Sequence, residues 1–185
     1  MEYFEKPLSR QEIYDGVIVK VHLDQAELVN GRVVKREVVE HPGGVCVLPV
    51  DENGLCYMVR QFRYPFGKMV LEAPAGKLEK GEDHLLCGKR ELSEETGLEA
   101  DEFIDLGATF LSPGYSSEIL HIYLALGLHQ GHSHPDEGEF LNVEKLPLSE
   151  LYDMAMKNEI EDAKTVIAIL KAERILSARN YSKRK

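Results

Sequence analysis

The sequence has few of the features that commit a chain to a membrane, a disulfide scaffold or a structural zinc site. It holds only three cysteines, Cys46, Cys56 and Cys87. They are odd in number and widely spaced, and none forms a C-x-x-C pair, which argues against a zinc site and a disulfide framework. They read as small buried apolar residues, and a reducing, cytoplasmic setting is expected. No apolar run approaches the ~20 residues a membrane span needs. The first residues, "MEYFEKPLSRQEIYDG", lack the basic-then-apolar order of a secretory signal. Positive charge is also short: 22 Lys and Arg stand against 32 Asp and Glu, a net charge of −10. That balance repels a long run of phosphates and disfavours general nucleic-acid binding. A small anion can still bind where a divalent cation or a few local Arg and Lys residues mediate.

What remains is a composition of 43% hydrophobic and 29% charged residues over 185 positions. It fits one globular domain, or one with a small appendage. Residues 1–15 read as an irregular arm. Segment 17–41 alternates apolar and polar residues about Asn30-Gly31, a dipeptide that predicts a type I′ hairpin. Segment 43–65 repeats the theme about Asn53-Gly54, and its first half is apolar enough for a strand buried on both faces. "LEAPAGKLEKGE" reads as a loop punctuated by Gly and Pro. A helix is expected from Asp83 to Thr96, anchored by Leu85, Leu86 and Leu92 and ended by Gly97. Gly88 should weaken it by roughly 1 kcal/mol relative to Ala. Strands follow near 103–110, at "ILHIYLAL" and at "FLNVEKL". Two helices follow Pro147, "LSELYDMAMKN" and "DAKTVIAILKAERIL". Strands outnumber scattered helices, which points to an α+β chain with mixed sheets layered by helices.

One stretch demands an explanation. In "RELSEETGL" a helix places Glu91, Glu94 and Glu95 on one face, where like charges repel by roughly 0.2–0.5 kcal/mol per pair. A hard divalent cation removes that penalty, and Mg²⁺ takes oxygen ligands of this kind while keeping waters and substrate phosphates. The glycines ahead of the helix let the backbone bend so that a main-chain carbonyl can join the ligands. Arg90 is placed to pair with an acid such as Glu82.

The full pattern, Gly76, Glu82, Arg90, Glu91, Leu92, Glu94, Glu95, Gly97 and Leu98, resembles the Nudix box G-x5-E-x7-R-E-U-x-E-E-x-G-U at each fixed position. The resemblance implies an α/β/α sandwich whose loop–helix–loop holds Mg²⁺, with Mn²⁺ able to substitute. It implies Glu91, Glu94 and Glu95 as metal ligands, Glu94 also with a catalytic part, and the carbonyl of Ala75 as a main-chain ligand. Gly76, Glu82, Arg90 and Gly97 take structural roles.

The flanks "VRQFRYP" with "LEAPAGKLEKGE", and "SPGYSSEILHIYLA", resemble the ADP-ribose pyrophosphatase branch. So does Pro113, placed fifteen residues past Leu98. By that resemblance Arg63 contacts the substrate phosphates, with Arg60, Arg36 and Glu72 as further substrate contacts. Glu79, Tyr115 and Ser116 stand near the site. The general base comes from the acidic loop "HPDEGEFLNVEKLPL": Glu137 is its first candidate and Glu139 its second, the other serving as an added metal or water ligand. The implied reaction is hydrolysis of ADP-ribose to AMP and ribose 5-phosphate. Another nucleotide sugar, such as GDP-mannose or ADP-glucose, is the alternative substrate, and a non-catalytic ADP-ribose sensor is the rival class. A segment 1–42, with its hairpin, is expected to exchange across a homodimer, ahead of a hydrolase domain over 43–180 and a frayed basic tail over 181–185. His129, His132 and His134 read as an exposed loop.

Overall fold

A computed structural model describes residues 3–131 and 142–183. The chain divides into two compact units, residues 1–43 with 110–119, and residues 44–109 with 120–185.

The first unit is a three-stranded antiparallel sheet, β1 (Lys6–Asp15), β2 (Lys20–Glu27) and β3 (Val33–Glu40), in the order β1-β2-β3. β1 corrects the expected irregular arm. All ten of its residues are exposed, so no burial pattern marked it as a strand. Its ladder to β2 is reinforced by cross-strand charges, with Arg10 donating to both oxygens of Asp24 at 2.9–3.2 Å. Charged pairs of this kind stabilise a sheet without leaving an apolar trace. Residues 110–119 join this unit: Val39 N–H donates to the Tyr115 carbonyl at 2.7 Å and its own carbonyl accepts from Ser117.

The β2–β3 turn is also corrected. Gly31 has φ +80° but Asn30 does not have positive φ, so a type I′ turn is excluded. Gly31 N–H reaches the Leu28 carbonyl and Leu28 N–H reaches Arg32, the pattern of a type I turn closed by a left-handed glycine. The Asn53-Gly54 turn has the same form, with Gly54 at φ +77°.

The second unit carries β4 (Gly44–Pro49), β5 (Leu55–Arg63), β6 (Lys68–Glu72), β7 (Ala75–Lys77), α1 (His84–Thr96), β8 (Leu98–Phe110), β9 (Ile119–Gln130), β10 (Asn142–Pro147), α2 (Leu148–Met156) and α3 (Ala163–Lys183). Two sheets form, β10-β5-β6 and β7-β4-β9-β8, with β4 and β9 parallel. β4 and β5 therefore lie in different sheets and do not make the expected hairpin; only Val50 bridges to Cys56. β4 is buried along its whole length, as its apolar run predicted. Val45 and Val47 pack with Cys87 and Leu92 of α1, and α3 packs on the same strand. The expected α+β sandwich, mixed sheets layered with helices, is the observed architecture.

Three local expectations change. The "LEAPAGKLEKGE" loop contains the end of β6 and all of β7, which pairs antiparallel with β4. Leu86 is 60% exposed and anchors nothing, whereas Leu92 is fully buried. Gly88 is a packing residue: a Cβ there would stand 3.2 Å from a methyl of Val45 and another of Val47. The propensity cost is the condition for laying α1 closely on β4.

All three cysteines are free and buried, and burial pushes the Cys46 and Cys56 thiols up to about 12. Among the described residues no helix is long and apolar enough to cross a membrane.

Candidate active site

α1 is well defined at both ends. Asp83 caps it, its Oδ1 accepting from Leu85 and Leu86 N–H at 2.9 and 3.1 Å. Gly97, at φ +70°, closes it through a bond to the Ser93 carbonyl. The His84 ring stacks on His121 with centroids 3.9 Å apart and is hydrogen-bonded to the Tyr123 hydroxyl. Between these fixed ends the helix presents its glutamates.

Glu91 and Glu95 are buried, at 9% and 8% exposure, which is uncommon for carboxylates and argues against a solvated acidic face. Glu95 Oε2 accepts from the Ala75 N–H at 3.0 Å. Glu91 lies against Gly76 so closely that a Cβ on that glycine would sit 1.9 Å from the carboxylate. Arg90 is the shared cation. Its Nε and Nη2 donate to the two oxygens of Glu82 at 3.0 and 3.2 Å. Its Nη1 stands 2.8 Å from both Glu91 and Glu94. The expected Arg90–Glu82 pair is present, and the same guanidinium holds two more glutamates. Glu79 N–H donates to Glu82 Oε2 at 2.9 Å and tightens the loop ahead of the helix.

Beyond the helix, Arg63 donates through Nε and Nη2 to both oxygens of Glu72 at 2.6 and 2.7 Å. Glu72 is buried and also receives the Lys164 ammonium. Burial pushes the Glu72 carboxyl up, but the Arg63 hydrogen bonds and the Lys164 charge outweigh it and hold it below its ordinary value. Burial likewise pushes Lys164 down, and the charges of Asp162 and Glu72 more than reverse this. A cavity of about 350 Å³ opens here, lined by Arg63, Phe66, Lys68, Glu72, Asp162 and Lys164.

Arg60 is paired with Glu144 of β10 at 2.5 Å. Arg36 is paired with Glu5 at 2.6 Å in the first unit. Tyr115 is 58% exposed, and Ser116 Oγ accepts from Glu118 N–H. His129 stands 3.5 Å from Asp101. Glu137, Glu139, His132 and His134 lie outside the described residues.

Lys164 escaped the sequence reading. It does leave a signal: a lysine in the first turn of an apolar helix, at the end where the helix dipole opposes a cation, needs a tertiary partner.

The model of the NUDIX domain matches residues 40–168. The chain belongs to the NUDIX family. The ADP-ribose pyrophosphatase of Bacillus subtilis (strain 168) is 40% identical to it over 167 residues, 89% of this chain and 90% of that protein. The methanol dehydrogenase activator of Bacillus methanolicus is 42% identical over the same shares of both chains. A crystal structure of an ADP compounds hydrolase matches with a TM-score of 0.84 over 95% of each chain, at 22% identity. At that identity the likeness shows the fold.

NUDIX hydrolases generally need a divalent metal, and the donor set fits one. Glu82, Glu91 and Glu94 bring three carboxylates to the Arg90 guanidinium, and Glu95 adds a fourth on the same helix as Glu91 and Glu94, leaving an excess of negative charge around a half-buried helix face. Among the described residues no three His, Cys, Asp or Glu side chains form a ready cage. Arg90 now spans Glu91 and Glu94, and a cation held by these glutamates would take over that guanidinium contact.

The Glu82–Arg90 pair has a pH signature. The Arg90 hydrogen bond prevails over desolvation and, with the Glu79 amide, holds the Glu82 carboxyl down from 4.5 to about 2. A depressed carboxylate contributes stability above its unfolded pKa and loses it as pH falls through the folded one. Thermal melts should therefore show a loss between pH 4.5 and about 2 that Glu82→Gln lacks. Equal acid profiles for the two proteins would contradict this coupling.

Proposed function

We propose that this protein hydrolyses the pyrophosphate bond of ADP-ribose in a Mg²⁺-dependent reaction, releasing AMP and ribose 5-phosphate. The observation that carries the reading is the carboxylate face of α1, seated on Gly76, in a chain 40% identical to an ADP-ribose pyrophosphatase. The Glu72 hydrogen bond, and with it the charges of Glu72, Asp162 and Glu95, hold the Arg63 guanidinium firmly protonated, as a phosphate contact requires.

Glu91, Glu94 and Glu95 would hold Mg²⁺, with the Ala75 carbonyl as a main-chain ligand; Mn²⁺ offers the same preference for oxygen. When bound, the cation screens the pyrophosphate and lowers the pKa of water. Gly76, Glu82, Arg90 and Gly97 fix the loop and helix that carry these ligands. Arg63 binds phosphate oxygens with its planar fork. Arg60 and Arg36 are secondary contacts that must first leave Glu144 and Glu5. Glu137 or Glu139 takes the proton of the attacking water. The water oxygen bonds to one phosphorus, and the bridging oxygen leaves with the other phosphate.

A homodimer with N-terminal strand exchange is part of the same reading. It is supported by β1, an exposed edge strand bearing Leu8, Ile13 and Tyr14. Unpaired edges of that length call for covering. Three buried free thiols support a cytoplasmic setting.

The test is a substrate panel with Mg²⁺, products separated by chromatography. AMP and ribose 5-phosphate should appear fastest from ADP-ribose; preference for GDP-mannose or ADP-glucose would reassign the substrate, and tight binding without turnover would make the protein a sensor. The relative named a methanol dehydrogenase activator adds a second reading, in which the same hydrolysis serves a dehydrogenase partner. Adding the protein to a methanol dehydrogenase assay separates the two.

A further inference from the structure

The buried ion cluster behind Arg63 is larger than a substrate contact requires. Glu72, 3% exposed in its side chain, is gripped from both sides, by the Arg63 fork and by the Lys164 ammonium. Lys164, 9% exposed in its side chain, also stands 2.9 Å from Asp162 Oδ1. Asp162 is fixed in turn, its Oδ2 accepting from Thr165 N–H at 2.9 Å, and Thr165 Oγ1 accepts from Ala73 N–H at 2.8 Å. The start of α3 is thereby tied to the end of β6. The cluster balances two carboxylates with two cations.

Its members are not equally free to move. Arg63 is 38% exposed at the cavity mouth, while Glu72 and Lys164 are enclosed. A buried carboxylate with one cation would hold that cation tightly, because removing it leaves an uncompensated charge. With Lys164 in place, Glu72 stays paired when Arg63 turns away.

We propose that Lys164 is a positioning residue: it serves as the reserve counter-charge of Glu72 and so frees Arg63 to leave that carboxylate for a substrate phosphate. This rests on the reading of Arg63 as the phosphate contact. Glu72 is then the resting place of the Arg63 fork and makes no substrate contact of its own. The first turn of α3 becomes a determinant of substrate affinity without touching substrate.

The test compares KM and kcat for ADP-ribose with Mg²⁺ across full-length variants. Lys164→Met leaves Arg63 as the sole strong partner of Glu72. KM should rise about tenfold while kcat stays within about threefold, the pattern of lost ground-state binding. Adding Glu72→Gln removes the trap, so KM of the double variant should return to within about threefold of Glu72→Gln alone. A merely structural lysine predicts the opposite, a double variant worse than either single one. An unchanged KM in Lys164→Met, or a double variant above Glu72→Gln, overturns the proposal. If Lys164→Met does not fold, the double variant against Glu72→Gln decides alone. Arg63→Ala separates the two levels. A raised KM there with a flat Lys164→Met defeats only the counter-charge role. A flat Arg63→Ala defeats the phosphate assignment and the proposal with it.

Discussion

Glu95→Gln and Glu94→Gln should each lower turnover by on the order of 10²–10³-fold, with melting temperatures close to wild type. Each prediction follows from what amide and carboxylate share. Glu95 Oε2 accepts a hydrogen bond from the Ala75 N–H at 3.0 Å. The glutamine carbonyl oxygen accepts the same bond, so the tie between α1 and β7 survives. Glu94 Oε2 accepts from Arg90 at 2.8 Å, and Arg90 keeps Glu82 and Glu91 when that contact weakens. What the amide cannot supply is negative charge for a hard cation, which ranks carboxylate oxygen well above a neutral amide. The two effects are therefore separable: catalysis falls and the fold remains. Removing one of three like charges from a single helix face also relieves repulsion, which favours the variants' stability slightly. Kinetics in a Mg²⁺ titration and a thermal melt on the same samples measure both. Turnover at the wild-type level in both variants would remove the metal assignment, and with it the account of why three glutamates share a helical turn.

The candidate site was legible where spacing sets which side chains share a face. Glu91, Glu94 and Glu95 could be placed on one face from helical periodicity, and Asp83 and Gly97 marked the ends of α1 through capping chemistry that acts within a few residues. β4 announced itself by an apolar run, because a strand buried on both faces has no polar side to show. The misses share a physical cause, contact between residues distant in sequence. β1 has no burial pattern, since its ladder and its charge pairs run to β2. The split of β4 and β5 between two sheets depends on which neighbours complete each sheet, β9 for one and β10 for the other. Gly88 looked like a defect because its Val45 and Val47 contacts are invisible along the helix. Lys164 stands 92 residues from Glu72, and only the conflict between its charge and the dipole of α3 hinted at a partner.

Gly76→Ala should abolish most activity, by about 100-fold or more, with only a modest loss of stability. Gly76 sits in β7 opposite Val45, and a strand accepts alanine readily by backbone conformation. The obstacle is the carboxylate of Glu91. A new Cβ would fall 1.9 Å from its carbon and one oxygen, and 2.3 Å from the other. The obstructing group is the end of a flexible side chain, so it can swing aside, and the backbone need not move. The fold therefore tolerates what the site does not. Swinging Glu91 outward separates it from Glu95, which the Ala75 amide keeps in place. Mg²⁺ affinity should drop with the geometry, since this cation demands near-octahedral placement at 2.0–2.1 Å. Partial recovery of kcat/KM at high Mg²⁺ is the expected sign that the ligand is displaced and not destroyed. Glu91→Gln in the Gly76→Ala background should then cost little more, because a residue already displaced has little left to lose. Full activity of Gly76→Ala at low Mg²⁺ would show that Glu91 does not bind the metal, whatever the effect of Glu94 and Glu95.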